Sequence, residues 1–368
     1  MKKIAIPGKN FNRMCGAIDF LRMLIKSLMK EEKNKFFLLL PYSCPEDIEQ
    51  TKIHFTEFGK DLEIVPYLHP DIQSALDIIN PDVVIPTYDD FEYPQVSYLF
   101  DCQHRYYPEF FTQKEIDFRD GYFQRIVDTK KSIIVNSKDA KNDLVKFFNV
   151  KEENIFNLPF CPILNRNYLQ ALDYDVLEKF NLPKTYFIIS NQFWIHKSHI
   201  TAFEAIKILK EKGYSDICLV CTGTIDEPRN PEYIDMLKSK LKEWNIEENV
   251  KLLGFIDKRE QIELLKKSIS VIQPTLFEGG PGGGSIYDAI AVGQRAILTD
   301  IRINLELQNE QNLKYFIAKD VNDLANKMEE DLNNPFTRIS DDILIKNEQA
   351  KLYKLTTRVY EAVEKAIS

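Results

Sequence analysis

Residues Thr275 to Gly293 read TLFEGGPGGGSIYDAIAVG and constrain the chain more than any other stretch. The run SISVIQP before it, residues 268–274, has the β-branched character of a buried parallel strand. After it, the small-residue pattern Ser285–Gly293 reads as a helix with a glycine stop. Five glycines lie at this strand–helix junction: Gly279, Gly280, Gly282, Gly283 and Gly284. Glycine lets another group approach the backbone, and a helix start presents free N–H groups at the positive end of its dipole. The combination predicts an anion site, with phosphate the usual anion. Glu278 before the turn and Asp288 inside the helix bracket it, and acids so placed usually hold hydroxyls. A sugar nucleotide carries both groups. The plainer alternative is a surface loop that only turns the chain, and a glycine run at such a junction argues against it. A Walker loop is excluded, because no Gly-Lys-Ser/Thr follows. The dinucleotide fingerprint fails too, with Ser285 where its third glycine belongs.

The chain has 368 residues, long enough for two domains, with 44% apolar and 28% charged residues. A net charge of −8 argues against nucleic acid as the main partner. No apolar run is long enough to span a bilayer, and MKKIAIPG leads into a strand without an apolar signal segment. A cytoplasmic protein is expected. Cys218 and Cys221 form a CxxC inside the apolar run ICLVCTG. Residues three apart on a strand point to opposite faces, so the pair reads as buried thiols and not as a metal site.

Strand and helix patterns alternate along the chain. Lys3–Pro7, Phe36–Leu40, Leu62–Val65, Asp82–Pro86, Ser97–Phe100 and Ser132–Val135 read as strands, and Gly8–Gly16 as a loop. Helices are expected at Ile18–Lys30, around Ala75–Ile79 and Phe118–Thr129, and at Ser137–Phe148 with Ser137 as N-cap. The pattern breaks at Leu158–Pro162 and restarts at Tyr186–Ser190, Ile217–Thr222, Val250–Leu253 and Arg295–Thr299. This predicts two Rossmann-like, doubly wound α/β domains facing a central cleft. The first spans residues 1–163 and the second 164–340. A last helix, 341–368, has apolar or aromatic residues at Ala350, Tyr353, Leu355, Val359, Tyr360 and Val363 with which to bury a face.

Three clusters follow strands, where such folds bind ligands. The glycine turn is one, and Glu278, as an acid on an exposed loop, should matter little to folding. The second is SNQFWIHKSH, Ser190–His199, with Asn191, Gln192, His196 and Lys197. A lysine facing a helix-start phosphate site suits a pyrophosphate, and a solvated cap lysine is the competing reading. His196 and His199 lack a carboxylate cluster, so no metal is assigned to them. The third cluster is DCQHRYYPEFF, in which Asp101, His104, Arg105 and Glu109 stand among aromatics. His104 suits an acid/base or hydroxyl-holding role, and equally a hydrogen-bonded structural one. Asp89-Asp90 and Asp173-Tyr174-Asp175 look like metal motifs, and neither is assigned. The helix Ile18–Lys30 carries Arg22, Lys26 and Lys30 beside an apolar face. That suits peripheral contact with anionic lipid at the inner face of the cell membrane, and suits the first domain's core better.

With these motifs the chain resembles the retaining GT-B glycosyltransferases, similar to glycosyltransferase family 4 (glycosyl transferases group 1). Glu278-Gly279 matches the start of that family's E-G-F-G-x-P turn, and Asp288-Ala289 its E-A. SNQFWIHKSH and DCQHRYYPEFF resemble subfamily forms. The resemblance implies transfer of a sugar from a nucleoside diphosphate to a hydroxyl, with retention of configuration and without metal or other cofactor. It implies that Glu278 and the amides of Gly279, Gly280, Gly282, Gly283, Gly284 and Ser285 meet the donor sugar and diphosphate. Asp288 would hold the ribose and Lys197 the diphosphate, with Asn191, Gln192 and His196 beside it. The loop with Phe255 and Ile256 would take the base through its backbone. Asp101 and His104 would be the first-domain catalytic contacts. The acceptor would be a glycan or a lipid-linked sugar, in the synthesis of a bacterial surface polysaccharide. The chain departs from the family in four places. Its two acids are ten residues apart against the usual eight, Asp288 replaces a glutamate, Gln192 replaces an arginine and Phe100 replaces a histidine. The competing classes are another sugar-nucleotide enzyme, such as an epimerase or inverting transferase, and a two-lobed binding protein.

Overall fold

The computed structural model describes residues 1–9, 15–129, 132–164 and 166–368. Part of the expected Gly8–Gly16 loop therefore lies outside the described residues. The chain divides into two compact units, Met1–Ile163 with Gln349–Ser368, and Leu164–Glu348.

The first unit holds seven parallel strands: β1 Lys3–Pro7, β2 Lys35–Tyr42, β3 Leu62–Leu68, β4 Val83–Thr87, β5 Gln95–Tyr98, β6 Ser132–Val135 and β7 Ile155–Asn157. Their order is β3-β2-β1-β4-β5-β6-β7. Continuous apolar runs let strands be covered on both faces, and Ile4, Ala5 and Ile6 at the sheet centre are fully buried. The helix Cys15–Leu28 turns Leu21, Leu24, Ile25 and Leu28 inward. Arg22, expected on its solvent face, is instead buried and paired with Glu57 and Asp19. Ser137 caps the helix Lys138–Phe148 by accepting from the Ala140 amide at 2.9 Å.

The second unit holds six parallel strands: β8 Phe187–Ser190, β9 Leu219–Thr222, β10 Val250–Gly254, β11 Val271–Gln273, β12 Ala296–Thr299 and β13 Leu313–Phe316, in the order β10-β9-β8-β11-β12-β13. The order reverses between β8 and β11, so the segments leaving these two strands diverge around a crevice, the usual ligand position in such sheets. Those segments are Asn191–His199 and the glycine turn. β7 and β13 were not anticipated from sequence. Both are short, and only Phe316 of β13 is fully covered, so neither has the apolar run that marks a central strand.

The last helix, Asp341–Ile367, belongs to both units. Its first turns, to Glu348, stay with the second unit, beyond the expected boundary at 340. The rest completes the first unit through buried Leu352, Leu355, Val359, Ala362 and Val363. Tyr353, expected on the buried face, is 75% exposed. The buried stripe follows the 3.6-residue period from Leu352, one position earlier. Tyr360 donates to the Leu28 carbonyl at 2.7 Å, and Thr356 to the Ser27 carbonyl at 3.2 Å.

Candidate active site

The helix after the glycine turn begins at Gly283, two residues before the expected start, and Gly282 is its N-cap with φ +72°. Two of the glycines are required by geometry. A Cβ on Gly282 would lie 2.6 Å from the Ile286 side chain, and one on Gly283 would lie 2.6 Å from Glu278 Oε2. Gly283 therefore admits the Glu278 carboxylate to the helix start. Gly284 is exposed, with open space where a Cβ would be. Gly279 and Gly280 form the preceding bend, and the Gly280 carbonyl accepts from the Gly283 amide at 3.1 Å.

Glu278 is only 8% exposed, so the expectation of an exposed loop acid is corrected. Lys197 donates to Glu278 Oε1 at 2.6 Å, and is itself 7% exposed. Burial of both members leaves each dependent on the other. Backbone contacts fix the two segments together: the Leu276 amide donates to the His196 carbonyl at 2.7 Å, and Thr275 Oγ1 to the same oxygen at 3.3 Å. Asn304 accepts from the Gly282 amide at 3.0 Å and donates to the Thr299 carbonyl at 3.0 Å, which ties the turn to the end of β12.

Asp288 is 2% exposed on the helix Gly283–Ala291. Its Oδ2 accepts from Lys258 at 2.6 Å and from Gln261 at 3.2 Å, and Gln261 also donates to Ser190 Oγ at 2.7 Å. Phe255, on the loop after β10, is 72% exposed, with Ile256 half-buried beside it. Four residues of this cluster were missed in the sequence: Lys258, Gln261, Gln273 and Asn304. All lie outside the motifs, although Gln273 carried a signal as a polar residue at the end of an apolar strand.

The two histidines of the second cluster do not form a metal pair. His199 stacks on Phe193 with ring centroids 4.0 Å apart, and His196 tilts against Trp194. Burial first, then the Lys197 charge, pushes the pKa of His196 down to about 2 and that of His199 down to about 3, so both stay neutral. Glu227, buried beneath this loop, accepts from the Ile195 amide at 2.7 Å and pairs with Arg229. Burial pushes its carboxyl up, and the bonds from Arg229 and Ile195 outweigh that to hold it below the usual range.

The third cluster is arranged differently. Asp101 accepts from Arg119 at 3.0 Å and from the Gln103 amide at 2.9 Å. His104 is 1% exposed, with Nε2 2.8 Å from Asp120 Oδ1, and Arg105 pairs with the other Asp120 oxygen. Phe111 and Phe123 flank the imidazole edge-to-face, and burial lowers its pKa despite Asp120. The unassigned acids have local partners: Asp89 pairs with Lys9, Asp90 accepts from Gln95, and Asp175 caps the short helix Val176–Lys179. Among the described residues no group of three His, Cys, Asp or Glu could hold a metal ion. Cys218 and Cys221 are buried free thiols.

Residues 176–351 match the family model described as Glycosyl transferases group 1. No protein of curated function matches the chain by sequence. Solved structures match over nearly its whole length. HepE of Anabaena, in complex with UDP, superposes with a TM-score of 0.65 at 13% identity, covering 99% of this chain and 95% of that one. WaaG, a glycosyltransferase involved in lipopolysaccharide biosynthesis, gives 0.60 at 13% identity over 99% and 98%. A Listeria monocytogenes protein provisionally assigned as a UDP-N-acetylglucosamine 2-epimerase gives 0.55 at 16% identity over 96% and 90%. The chain thus has the two-sheet GT-B fold, and its residues 176–351 are similar to the Glycosyl transferases group 1 family.

Proposed function

We propose that the protein transfers a sugar from a nucleoside diphosphate to a hydroxyl acceptor with retention of configuration, and that the donor binds in the second unit. The observation that carries this reading is the meeting of Lys197, Glu278 and the helix start at Gly282–Gly283 where the second sheet reverses its order. An ammonium and outward backbone amides suit the diphosphate. The carboxylate suits the sugar hydroxyls, and Asp288, farther along the same helix, suits the ribose. The exposed Phe255 loop is free to receive the base. The UDP complex of HepE supports a nucleotide ligand.

Lys197 and the amides neutralise the diphosphate in this reading, so no metal is required. His104 and Asp101 enter it as first-unit groups that a substrate would have to draw away from Asp120 and Arg119. The acceptor is a glycan or lipid-linked sugar recognised by the first unit, and the product a bacterial surface glycan. Work at the cytoplasmic face of the membrane suits such an acceptor, although the buried Arg22 leaves peripheral lipid contact to lysines such as Lys30 and Lys33. The Listeria likeness supports an epimerase as the second reading, against which the match over residues 176–351 weighs.

A thermal-shift panel of UDP-, GDP-, ADP- and dTDP-sugars tests the reading, because ligand in excess raises stability with the logarithm of its concentration over Kd, so at one concentration the tighter ligand gives the larger shift. One nucleotide class should raise Tm by several degrees, and no shift with any of them would refute a donor site. Donor turnover should persist in excess chelator. Loss restored by manganese or magnesium would refute the metal-free reading. An epimerase would change the sugar without acceptor and without releasing nucleotide.

A further inference from the structure

Gln273 ends β11 fully buried, at the centre of the candidate donor site, and belongs to none of the motifs that point to that site. All of its hydrogen-bonding capacity is used. Its Nε2 donates to Glu278 Oε1 at 2.8 Å and to the Gly282 carbonyl at 2.9 Å. Its Oε1 accepts from Asn191 Nδ2 and from Ser285 Oγ at 3.3 Å. These partners fix the amide's orientation, because a flipped amide would set its oxygen against the Glu278 carboxylate and the Gly282 carbonyl. Lys197 donates to the same Glu278 oxygen. Oε1 is thus occupied by two donors, and Oε2 is the oxygen left for a substrate hydroxyl.

We propose that Gln273 is a positioning residue for the reaction: its amide, oriented by Asn191 and Ser285, holds Glu278 with Oε2 turned to the donor sugar. This rests on the reading of Glu278 as the donor-sugar carboxylate. An apolar side chain at 273 would leave Glu278 to Lys197 alone, and the carboxylate would follow that flexible ammonium when diphosphate draws it away. A hydrogen-bonded donor amide keeps the carboxylate in place through that exchange. A second carboxylate at 273 would face Glu278 directly, and two like charges at that distance resist joint ionisation.

The test compares Gln273→Glu, Gln273→Met and Glu278→Gln by donor hydrolysis without acceptor, using UDP-, GDP-, ADP- or dTDP-glucose as the thermal-shift panel ranks them. Calorimetric binding of the matching nucleoside diphosphate and the melting temperature are measured alongside. The expected result is a fall in kcat of ten-fold or more in both Gln273 variants, with nucleotide affinity within three-fold of the parent. In Gln273→Glu the acid limb of the pH–rate profile should also move up by a unit or more. Loss of activity only in step with loss of nucleotide affinity or melting temperature, with the acid limb unmoved, would make Gln273 merely structural and overturn the inference. Intact kcat in both Gln273 variants, with activity lost in Glu278→Gln, would overturn it alone. Activity surviving in Glu278→Gln would remove the donor reading and this inference together.

Discussion

The two units share a parallel sheet and differ in what they do with charge beyond their strand ends. In the second unit, segments leaving β8 and β11 bring Lys197 onto Glu278, and the helix after the turn brings Asp288 onto Lys258. Each pair joins residues far apart in sequence around a glycine helix start. In the first unit, Asp101 and His104 are held by Arg119 and Asp120 of a single helix, Gln113–Asp128, inside an aromatic wall. The second arrangement leaves a carboxylate oxygen and helix-start amides for a ligand, and the first spends its charges on local architecture. Clusters alike in composition can thus differ in whether their partners are already supplied by a neighbouring helix.

The units differ also in self-sufficiency, and removing the last helix exposes that difference most strongly. Deletion of residues 349–368 strips Leu352, Leu355, Val359, Ala362 and Val363 from the first unit. Burial of a large apolar side chain contributes about 1.5–3 kcal/mol, and a domain's net stability is only about 5–15 kcal/mol. Calorimetry should show the first unit's transition lost and the second unit's retained, with nucleotide still bound. Two intact transitions would mean that the helix is an accessory.

Replacement of Glu278 separates chemistry from architecture. Glu278→Gln should lower turnover by about 10²–10³-fold, the scale on which a single electrostatic group at a reacting centre acts, with a modest fall in melting temperature, because its amide oxygen can still accept from Lys197 but supplies no counter-charge. Glu278→Ala should destabilise further, by about 3–5 kcal/mol in all, because Lys197 is left buried without its carboxylate. His104→Asn should behave in the opposite sense, with a larger effect on first-unit melting than on donor hydrolysis. Equal effects on both readouts at the two positions would erase the contrast between the clusters.

Acid should sharpen the contrast further. His196 and His199 are held neutral in the folded second unit, whereas the unfolded chain protonates them near 6.5. The folded values lie below the unfolded ones, so stability is complete above about pH 6.5 and falls beneath it, by roughly 1.4 kcal/mol per pH unit for each histidine. Between pH 6.5 and 4.5 the second unit's melting temperature should fall. His199→Phe, which keeps a ring against Phe193, should remove about half of that slope. An unchanged slope in this variant would show that His199 titrates normally in the fold.

Much of this architecture is legible in the sequence because it rests on local pattern. The apolar runs at Lys3–Pro7 and Ser132–Val135 and the N-cap at Ser137 mark their elements without reference to the rest of the chain. The glycine turn is visible because its backbone needs a residue type that is rare elsewhere. What the sequence hides depends on distant partners. Glu278 reads as an exposed loop acid until Lys197, eighty-one positions earlier, is seen to bury it. Arg22 reads as a surface charge until Glu57 is placed beside it. Tyr353 and Leu352 are one step apart, and only the packed neighbour decides which faces inward. Gln273 and Asn304 serve the turn from ordinary strand and loop positions, where no short motif marks them.

The proposed donor site is the second sheet's reversal point, with Lys197, Glu278 and the Gly282–Gly283 helix start. A crystal structure with the nucleoside diphosphate that the panel ranks first tests it most directly. Phosphate oxygens are expected on Lys197 and the amides that follow Gly282, the ribose on Asp288, and the base over the loop at Phe255. A nucleotide bound at the strand ends of the first sheet, with Lys197 still engaged by Glu278, would contradict it.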